Sequence, residues 1–467
     1  MIHNSHPKKC NRFANLVRKK YFCTLMDKTI VMRRQAFEQL IEWKNSPDRK
    51  PLIVRGARQV GKTWLMKEFA KTHYEDIIYV NFEQNDIMKT LFDEGLEPHR
   101  ILFKLTTFSG IEPKPAKTLI ILDEIQEVPR GLTSLKYFCE DAPEYHVIVA
   151  GSLLGITLHQ HVSFPVGKVH FLDLYPMSFA EFLYALGKDA YVDLLRKQDR
   201  AIIKTFKSQY IEWLRQYFFI GGMPEAVASF IENRNFVKVR QIQKDILNQY
   251  ESDFSKHAPN EIVPRIRMVW NSILPQLAKE NRKFMYAKIK QGARAREFEL
   301  AMAWLLDCGL IKQVYRVTKP DLPLKAYLDF SAFKLFMVDI GLMAAMGELD
   351  VKVILEGSRI FEEFKGALTE QFVFQQLVLN ENFVITYWSS ERSDSEIDLL
   401  LQFENEVIPV EVKAAENLNA KSFKLYCQKY QPKYAVRTSL SDYRQEEWMC
   451  HVPLYAIGNY TFENTTN

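Results

Sequence analysis

"PLIVRGARQVGKTWLMKEFAKTH", residues 51–73, decides the fold. Its centre, Gly56 to Thr63, fits G-x-x-x-x-G-K-[ST]; a short apolar run of strand length precedes it and a helical pattern follows, which is the context the pattern needs. The glycines let the backbone curl so that N–H groups along Gly56, Ala57, Arg58, Gln59, Val60, Gly61, Lys62 and Thr63 surround phosphate oxygens, while the following helix points its positive end at them. Lys62 brings a charge to the β- and γ-phosphates of a nucleotide, and Thr63 gives its hydroxyl to Mg²⁺. The plain alternative is an accidental glycine turn, which the flanking strand and helix argue against.

Three further apolar runs of strand length follow: "IIYVNFE" (77–83), "TLIILDE" (118–124) and "HVIVAGS" (146–152), separated by segments long enough for helices. Strands alternating with helices predict a mostly parallel sheet covered on both faces, an α/β core. Asp123 stands at the end of the second run, placed to hold Mg²⁺ through water, and Glu124 beside it is the acid that would orient and deprotonate an attacking water. Ser152 ends the third run, where ATPases with a strand between the two phosphate-site strands carry a γ-phosphate sensor. Gly-Ser is also a common turn, so that role stays open beside the bland one. Arg58 and Arg130 are candidates for contact with phosphate or a neighbouring subunit and equally read as surface arginines; no arginine finger is assigned.

The chain has 467 residues, which at roughly one domain per ~150 residues suggests about three domains. An apolar fraction of 47% and a charged fraction of 25% are those of an ordinary globular protein. A formal charge of +5 permits nucleic-acid binding without arguing for it, since clustering of Lys and Arg is the useful signal. The six cysteines (Cys10, Cys23, Cys139, Cys308, Cys427, Cys450) form no CxxC pair and read as thiols in a reducing compartment. No apolar run approaches the ~18–20 residues that span a bilayer, and the basic start lacks a secretory signal's apolar centre, so a cytoplasmic protein without a membrane partner is expected. Residues 1–32 read as a poorly ordered basic leader, with Met26 and Met32 as alternative starts.

Beyond about residue 200 long helical patterns take over, and near 345 the character changes again to a helix followed by strands. The expected domains are therefore 33–205, 206–345 and 346–467, after the leader 1–32. In the middle, residues 283–317 read as a short helix, a turn, a longer helix and a strand that would form the first arm of a wing. Lys288, Lys290, Arg294 and Arg296 gather near the start of the longer helix, where a recognition helix would meet DNA; a solvated helix face is the plainer reading.

Towards the end, "IPVEVK" (408–413) places Glu411 and Lys413 on one face of an apolar strand. Asp398 begins the preceding strand, in "SEIDLLL" (395–401), and Glu370 falls among apolar positions of the helix "GALTEQFVFQQLVLN" (366–380). This arrangement resembles the PD-(D/E)xK nucleases: Asp398 and Glu411 would share Mg²⁺, Glu370 would complete the acidic cluster, and Lys413 would position or activate water. Three readings stay open: a live nuclease, a nuclease-like fold kept for binding with a salt-bridged core, and an exposed charged sheet face. Ile408, Val410 and Val412 argue against the last because they make the strand's other face apolar.

Taken together, "VRGARQVGKTWL", "YVNFE", "LIILDEIQ", "VIVAGSLLG", "LYPMSFAEFL", "GGMPEAV", "DILNQYESDFSKH", "FMVDIGLMAAM", "GALTEQFVFQQL" and "IPVEVK" make the chain resemble bacterial and archaeal AAA-domain ATPases whose C-terminal half is a domain of unknown function. The resemblance covers nearly everything after the leader. It implies a P-loop NTPase parallel sheet of extended AAA or STAND-like type, a helical and winged-helix middle, and a restriction-endonuclease-like α/β end, with ATP and Mg²⁺ as cofactors. The expected function is a Mg²⁺-dependent ATPase working as a nucleotide-driven switch on DNA or a protein partner. The alternatives are an ATP-regulated metal-dependent DNA nuclease and a STAND-like signalling scaffold that forms homo-oligomers with ATP.

Overall fold

The runs read as strands fold as strands. β1 (Leu52–Arg55), β2 (Asp76–Asn81), β3 (Thr118–Asp123) and β4 (His146–Ala150) are joined by β5 (His170–Asp173), which the sequence reading did not mark. All five run parallel in the order β2-β3-β4-β1-β5. β3 and β4 are buried at every position, which is why each reads as an unbroken apolar run with no polar alternation. Ile53, Ile78, Val80, Ile120, Leu122, Val147 and Val149 meet Leu102, Leu105, Leu132 and Phe138 from the helices Pro98–Ser109 and Pro129–Asp141 in one core. β4 lies between β1 and β3, so the ends of these three neighbours open onto one place, the usual ligand position of an open parallel sheet.

The computed structural model describes residues 32–152, 154–157, 164–277, 283–356, 362–390, 395–414 and 421–462. Apart from Met32, the expected basic leader lies outside the described residues, and so do Cys10 and Cys23. Among the described residues no helix is long and apolar enough to cross a membrane.

Helices fill the middle of the chain: Lys207–Ile220, Pro224–Asn233, Phe236–His257, Val263–Leu277 and Ala295–Asp307. The expected strand after the last of them is β6 (Ile311–Val317), which pairs antiparallel with β7 (Leu328–Met337). These two strands do not stand apart as a wing. β6 also pairs in parallel with β8 (Val384–Ser389), and both belong to an eight-stranded mixed sheet. The physical reason is visible in β7, whose residues from Ala332 to Met337 are all buried and therefore need cover that a free wing lacks. That sheet thus draws strands from both sides of residue 345.

The remaining strands are β9 (Glu396–Phe403), β10 (Glu406–Val412), β11 (Val436–Ser439), β12 (Arg444–Gln445) and β13 (Cys450–Pro453), giving the order β12-β13-β11-β10-β9-β8-β6-β7. β9 and β10 form an antiparallel hairpin in which Val410 faces Leu399, so Glu411 and Asp398 follow one step along the ladder. The helix Lys421–Tyr430 lays Phe423 and Tyr426 against Trp388, Ile397 and Leu400. The helix Glu362–Leu377 carries Phe374, which stacks on Phe336 of β7 with ring centres 4.1 Å apart.

Candidate nucleotide site

The phosphate loop follows β1 and ends in the helix Lys62–His73. Gly56 has φ +143°, and a Cβ there would stand 2.2 Å from the carbonyl oxygen of Leu174, so only glycine fits. Lys62 is buried, and its ammonium donates to the carbonyls of Gly56 and Ala57, both at 2.8 Å. Burial pulls its pKa from 10.5 to about 8; Glu124 and Asp123 oppose the fall and Arg58 adds to it.

Asp123 ends β3 directly beside the start of that helix. The Thr63 hydroxyl donates to its Oδ2 at 2.7 Å, Tyr79 donates to the same oxygen at 3.0 Å, and the Glu124 amide donates to Oδ1 at 3.1 Å. Burial raises the Asp123 pKa, and the hydrogen bond from Thr63 opposes it. The loop and the Thr63–Asp123 pair fit a Mg²⁺-nucleotide: backbone N–H groups and an ammonium for phosphate, a hydroxyl and a carboxylate for the ion.

Glu124 sits in a left-handed backbone conformation, φ 53°, which turns its side chain out of the strand direction. Its carboxylate accepts from Gln126 at 2.6 Å and from the Ser152 hydroxyl at 3.2 Å. Ser152 therefore touches the neighbouring acid, a partner the sequence did not foresee. Arg130 donates to the Asp93 carbonyl at an exposed position.

The outer side of the loop is gripped by residues far away in sequence. Arg34 donates to the Val60 carbonyl at 2.9 Å and pairs with Glu181 at 3.2 Å. Arg58 pairs with Asp253 at 2.6 Å, the Tyr250 hydroxyl donates to the Arg58 carbonyl at 2.9 Å, and Gln59 donates to Gln249. None of these partners announces itself in the sequence, because each is a single polar residue on an ordinary helical pattern.

In the C-terminal sheet Asp398, Glu411 and Lys413 do come together. Lys413 pairs with Glu411 at 2.5 Å, and Asp398 Oδ2 accepts the Val412 amide at 2.8 Å. Glu411 is only 6% exposed, so the strand is buried on both faces and the exposed-face reading is wrong. Burial and the charge of Asp398 push the Glu411 pKa from 4.5 up to about 7, against Lys413 and Lys334.

Glu370 is engaged elsewhere. Lys334 of β7, 1% exposed, pairs with it at 2.9 Å and with Glu396 at 2.5 Å, and also reaches the Asp398 carbonyl at 3.4 Å. Among the described residues no group of three or more His, Cys, Asp and Glu side chains is arranged to hold a metal ion. The donor set fits two carboxylates and a lysine better than a three-carboxylate centre. Lys334 was missed, although "SAFKLFM" (331–337) sets a lone lysine in an apolar strand and is the natural complement of Glu370 in its apolar helix.

The raised Glu411 has a consequence for stability. The folded protein keeps a proton at Glu411 that the unfolded chain releases above its ordinary pKa of 4.5, so this contribution is full below 4.5 and is lost as pH rises through about 7. Glu411→Gln is expected to flatten the decline in unfolding free energy between those values, read from urea titrations at pH 5, 6, 7 and 8. An unchanged pH profile would mean that Glu411 ionises normally.

Lys288, Lys290, Arg294 and Arg296 are all exposed, around the short turn Tyr286–Lys288 and the beginning of the helix Ala295–Asp307.

With this geometry in hand, residues 48–183 match the family described as an AAA domain, residues 211–352 match a domain of unknown function, DUF8612, and residues 365–457 match another, DUF4143. The chain is similar to an uncharacterised protein of Methanocaldococcus jannaschii, 23% identical over 85% of this chain and 82% of that one. An uncharacterised protein of Haemophilus influenzae is 24% identical over 43% of this chain and 46% of its own length. Among solved structures, a Walker-type ATPase of Pyrococcus abyssi superposes with a TM-score of 0.44 at 14% identity, over 68% of this chain and 96% of that one. The RuvB Holliday junction branch migration motor of Thermotoga maritima superposes with a TM-score of 0.26 at 14% identity, over 63% and 94%. The chain thus matches an AAA domain over residues 48–183, followed by matches to two domains of unknown function.

Proposed function

We propose that this protein is a Mg²⁺-dependent ATP hydrolase that works as a nucleotide-driven switch on DNA or on a protein partner. One observation supports the reading above all: the ends of three adjacent parallel strands gather a buried lysine, a Thr63–Asp123 pair and a Glu124 carboxylate held by Ser152. Mg²⁺ on the triphosphate would neutralise charge on the phosphoryl group as it transfers. Thr63 and Asp123 are the residues that would hold the ion. The backbone N–H groups from Gly56 to Thr63 bind and orient phosphate, and Lys62 adds a charge that water does not compete for. Glu124 accepts the proton of the attacking water, with Ser152 and Gln126 fixing the direction of its carboxylate.

The depressed Lys62 sets a pH limit. With a pKa of about 8 in the empty site, the lysine is mostly charged at pH 7 and mostly neutral at pH 9. Nucleotide binding must then take up a proton, so affinity is expected to fall about tenfold from pH 7 to pH 9. Titrations with a fluorescent ATP analogue would read this directly, and a flat profile would mean that Lys62 keeps an ordinary lysine pKa in the empty site.

Phosphate release from ATP by the full chain, with and without Mg²⁺ and with and without double-stranded DNA, tests the main reading. Mg²⁺-dependent turnover supports it, and stimulation by DNA selects DNA over a protein as the partner. Absence of both ATP binding and ATP turnover under every condition would remove it. A second reading, an ATP-regulated nuclease, is favoured by Glu411 and Asp398 lying together beside Lys413. DNA cleavage with Mn²⁺ or Mg²⁺ that disappears in Lys413→Ala supports that reading; intact DNA throughout removes it.

A further inference from the structure

A loop that turns its N–H groups inward to phosphate turns carbonyls outward, and those carbonyls need donors from somewhere else. Here Lys62 serves Gly56 and Ala57, Tyr250 serves Arg58, and Arg34 serves Val60. Two of these donors, Tyr250 and Arg34, lie outside the residues matched as an AAA domain. Tyr250 and Asp253 stand three residues apart on one face of the helix Phe236–His257 and hold Arg58 by its carbonyl and by its side chain together. Gln249 adds a bond to Gln59, and Lys256, near the helix end, pairs with Glu83 just after β2 at 3.5 Å.

Asp253 is 6% exposed, and its nearest cation is Arg58 at 2.6 Å, with His257 farther off at 3.9 Å. A buried carboxylate is costly once its partner is drawn away. Arg58 belongs to a loop shaped for phosphate, so a phosphate in the loop would compete with Asp253 for the Arg58 guanidinium. The same helix packs Phe254, one turn on from Tyr250, edge-on against Trp270 and Trp304, with ring centres 5.8 and 5.3 Å away, so it is also anchored in the helical middle of the chain.

We propose that Tyr250 and Asp253 are positioning residues of the nucleotide site and that, through their double hold on Arg58, the helix Phe236–His257 responds to the loading of the phosphate loop. The inference rests on the reading of that loop as an ATP site. Coupling is reciprocal: if nucleotide changes the helix, loosening the helix must change nucleotide affinity by the same factor.

The test uses the full chain. Nucleotide affinity is measured with a fluorescent ATP analogue, and hydrogen exchange of peptides within 236–257 is followed with and without ATPγS. Wild type, Tyr250→Phe, the double variant Tyr250→Phe/Asp253→Asn and Lys62→Ala are compared. In wild type, exchange across 245–257 is expected to change on adding ATPγS. In the double variant that change should disappear and the Kd should rise about tenfold, the size expected for losing a hydrogen bond to a charged group. Tyr250→Phe keeps the buried ring and should fall between the two. Wild type that binds nucleotide while this helix stays unchanged overturns the proposal and leaves the ATP reading standing. So does a double variant whose affinity and exchange response match wild type. Wild type that binds no nucleotide overturns the ATP reading itself, and the proposal falls with it.

Discussion

Glu124→Gln protein is expected to bind ATP about as tightly as wild type and to hydrolyse it some 10²–10⁴-fold more slowly, the usual loss on removing a general base. The geometry makes the substitution a clean one. Gln126 donates to Oε2 of Glu124 and the Ser152 hydroxyl to Oε1; an amide oxygen can keep the first bond, and the Ser152 hydroxyl can turn to accept from the NH₂ in place of the second, so the side chain has reason to stay where it is. What the amide cannot do is take a proton from water. Lys62→Ala should behave differently, because it removes a charge aimed at phosphate: nucleotide affinity itself should collapse, and turnover with it. Phosphate release measured across ATP concentrations, beside direct nucleotide binding, separates the two variants into a loss in kcat and a loss in affinity. Turnover by Glu124→Gln within about threefold of wild type would show that another group takes the proton.

The half of this site that was legible in the sequence is the half made from contiguous residues. A phosphate loop and an acid-ended strand carry their meaning in spacing along the chain, so Gly56 to Thr63, Asp123 and Glu124 could be read before any fold was known. The β3 and β4 runs were legible for a similar reason, since strands buried on both faces leave no polar position to confuse the pattern. β5 is only four residues, "HFLD", with Phe171 exposed, and its short mixed pattern gave nothing to read. What stayed hidden was long-range pairing. Arg34, Tyr250 and Asp253 meet the loop only because the chain returns to it, and Lys334 meets Glu370 across 36 positions. A lone charge in an apolar pattern signals that a partner exists without saying which. The expected wing failed on the same ground: β6 reads locally as the first arm of a wing, and the neighbour that makes it part of a larger sheet, β8, comes much later in the chain.

Replacing Asp339 should cost more stability than any surface change in this chain, because its carboxylate ties together three segments that are distant in sequence. It accepts the Gly222 amide at 2.6 Å, the Leu342 amide at 3.0 Å and the Gln375 side chain at 3.1 Å, and it is wholly buried. Burial raises its pKa while these donors oppose the rise, Gly222 and Leu342 first. The backbone has been shaped around it. Gly221 has φ +73°, and a Cβ there would stand 2.1 Å from Asp339 Oδ1, so the glycine pair and the acid require each other. Gly222 in turn accepts the Met177 amide at 2.7 Å, and Tyr217 donates to the Met177 carbonyl at 2.5 Å and accepts from Gln375 at 3.0 Å. Asp339→Ala leaves the Gly222 and Leu342 amides without this acceptor and takes one of two acceptors from the Gln375 side chain, at about 1–3 kcal/mol for each bond lost, so a loss of about 3–5 kcal/mol is expected. Asp339→Asn is nearly the same shape, yet it sets an NH₂ group against backbone N–H groups and should recover little of that loss. The urea midpoint of the full chain, followed by tryptophan fluorescence, should fall by about 1 M or more in both variants. A midpoint within about 0.2 M of wild type would mean that water or a rearranged backbone satisfies these donors as well as the carboxylate does. Such a result would also mean that the joint holds without it, since Asp339 is bonded at once to the turn before the helix Pro224–Asn233, to the segment after β7 and to the helix Glu362–Leu377.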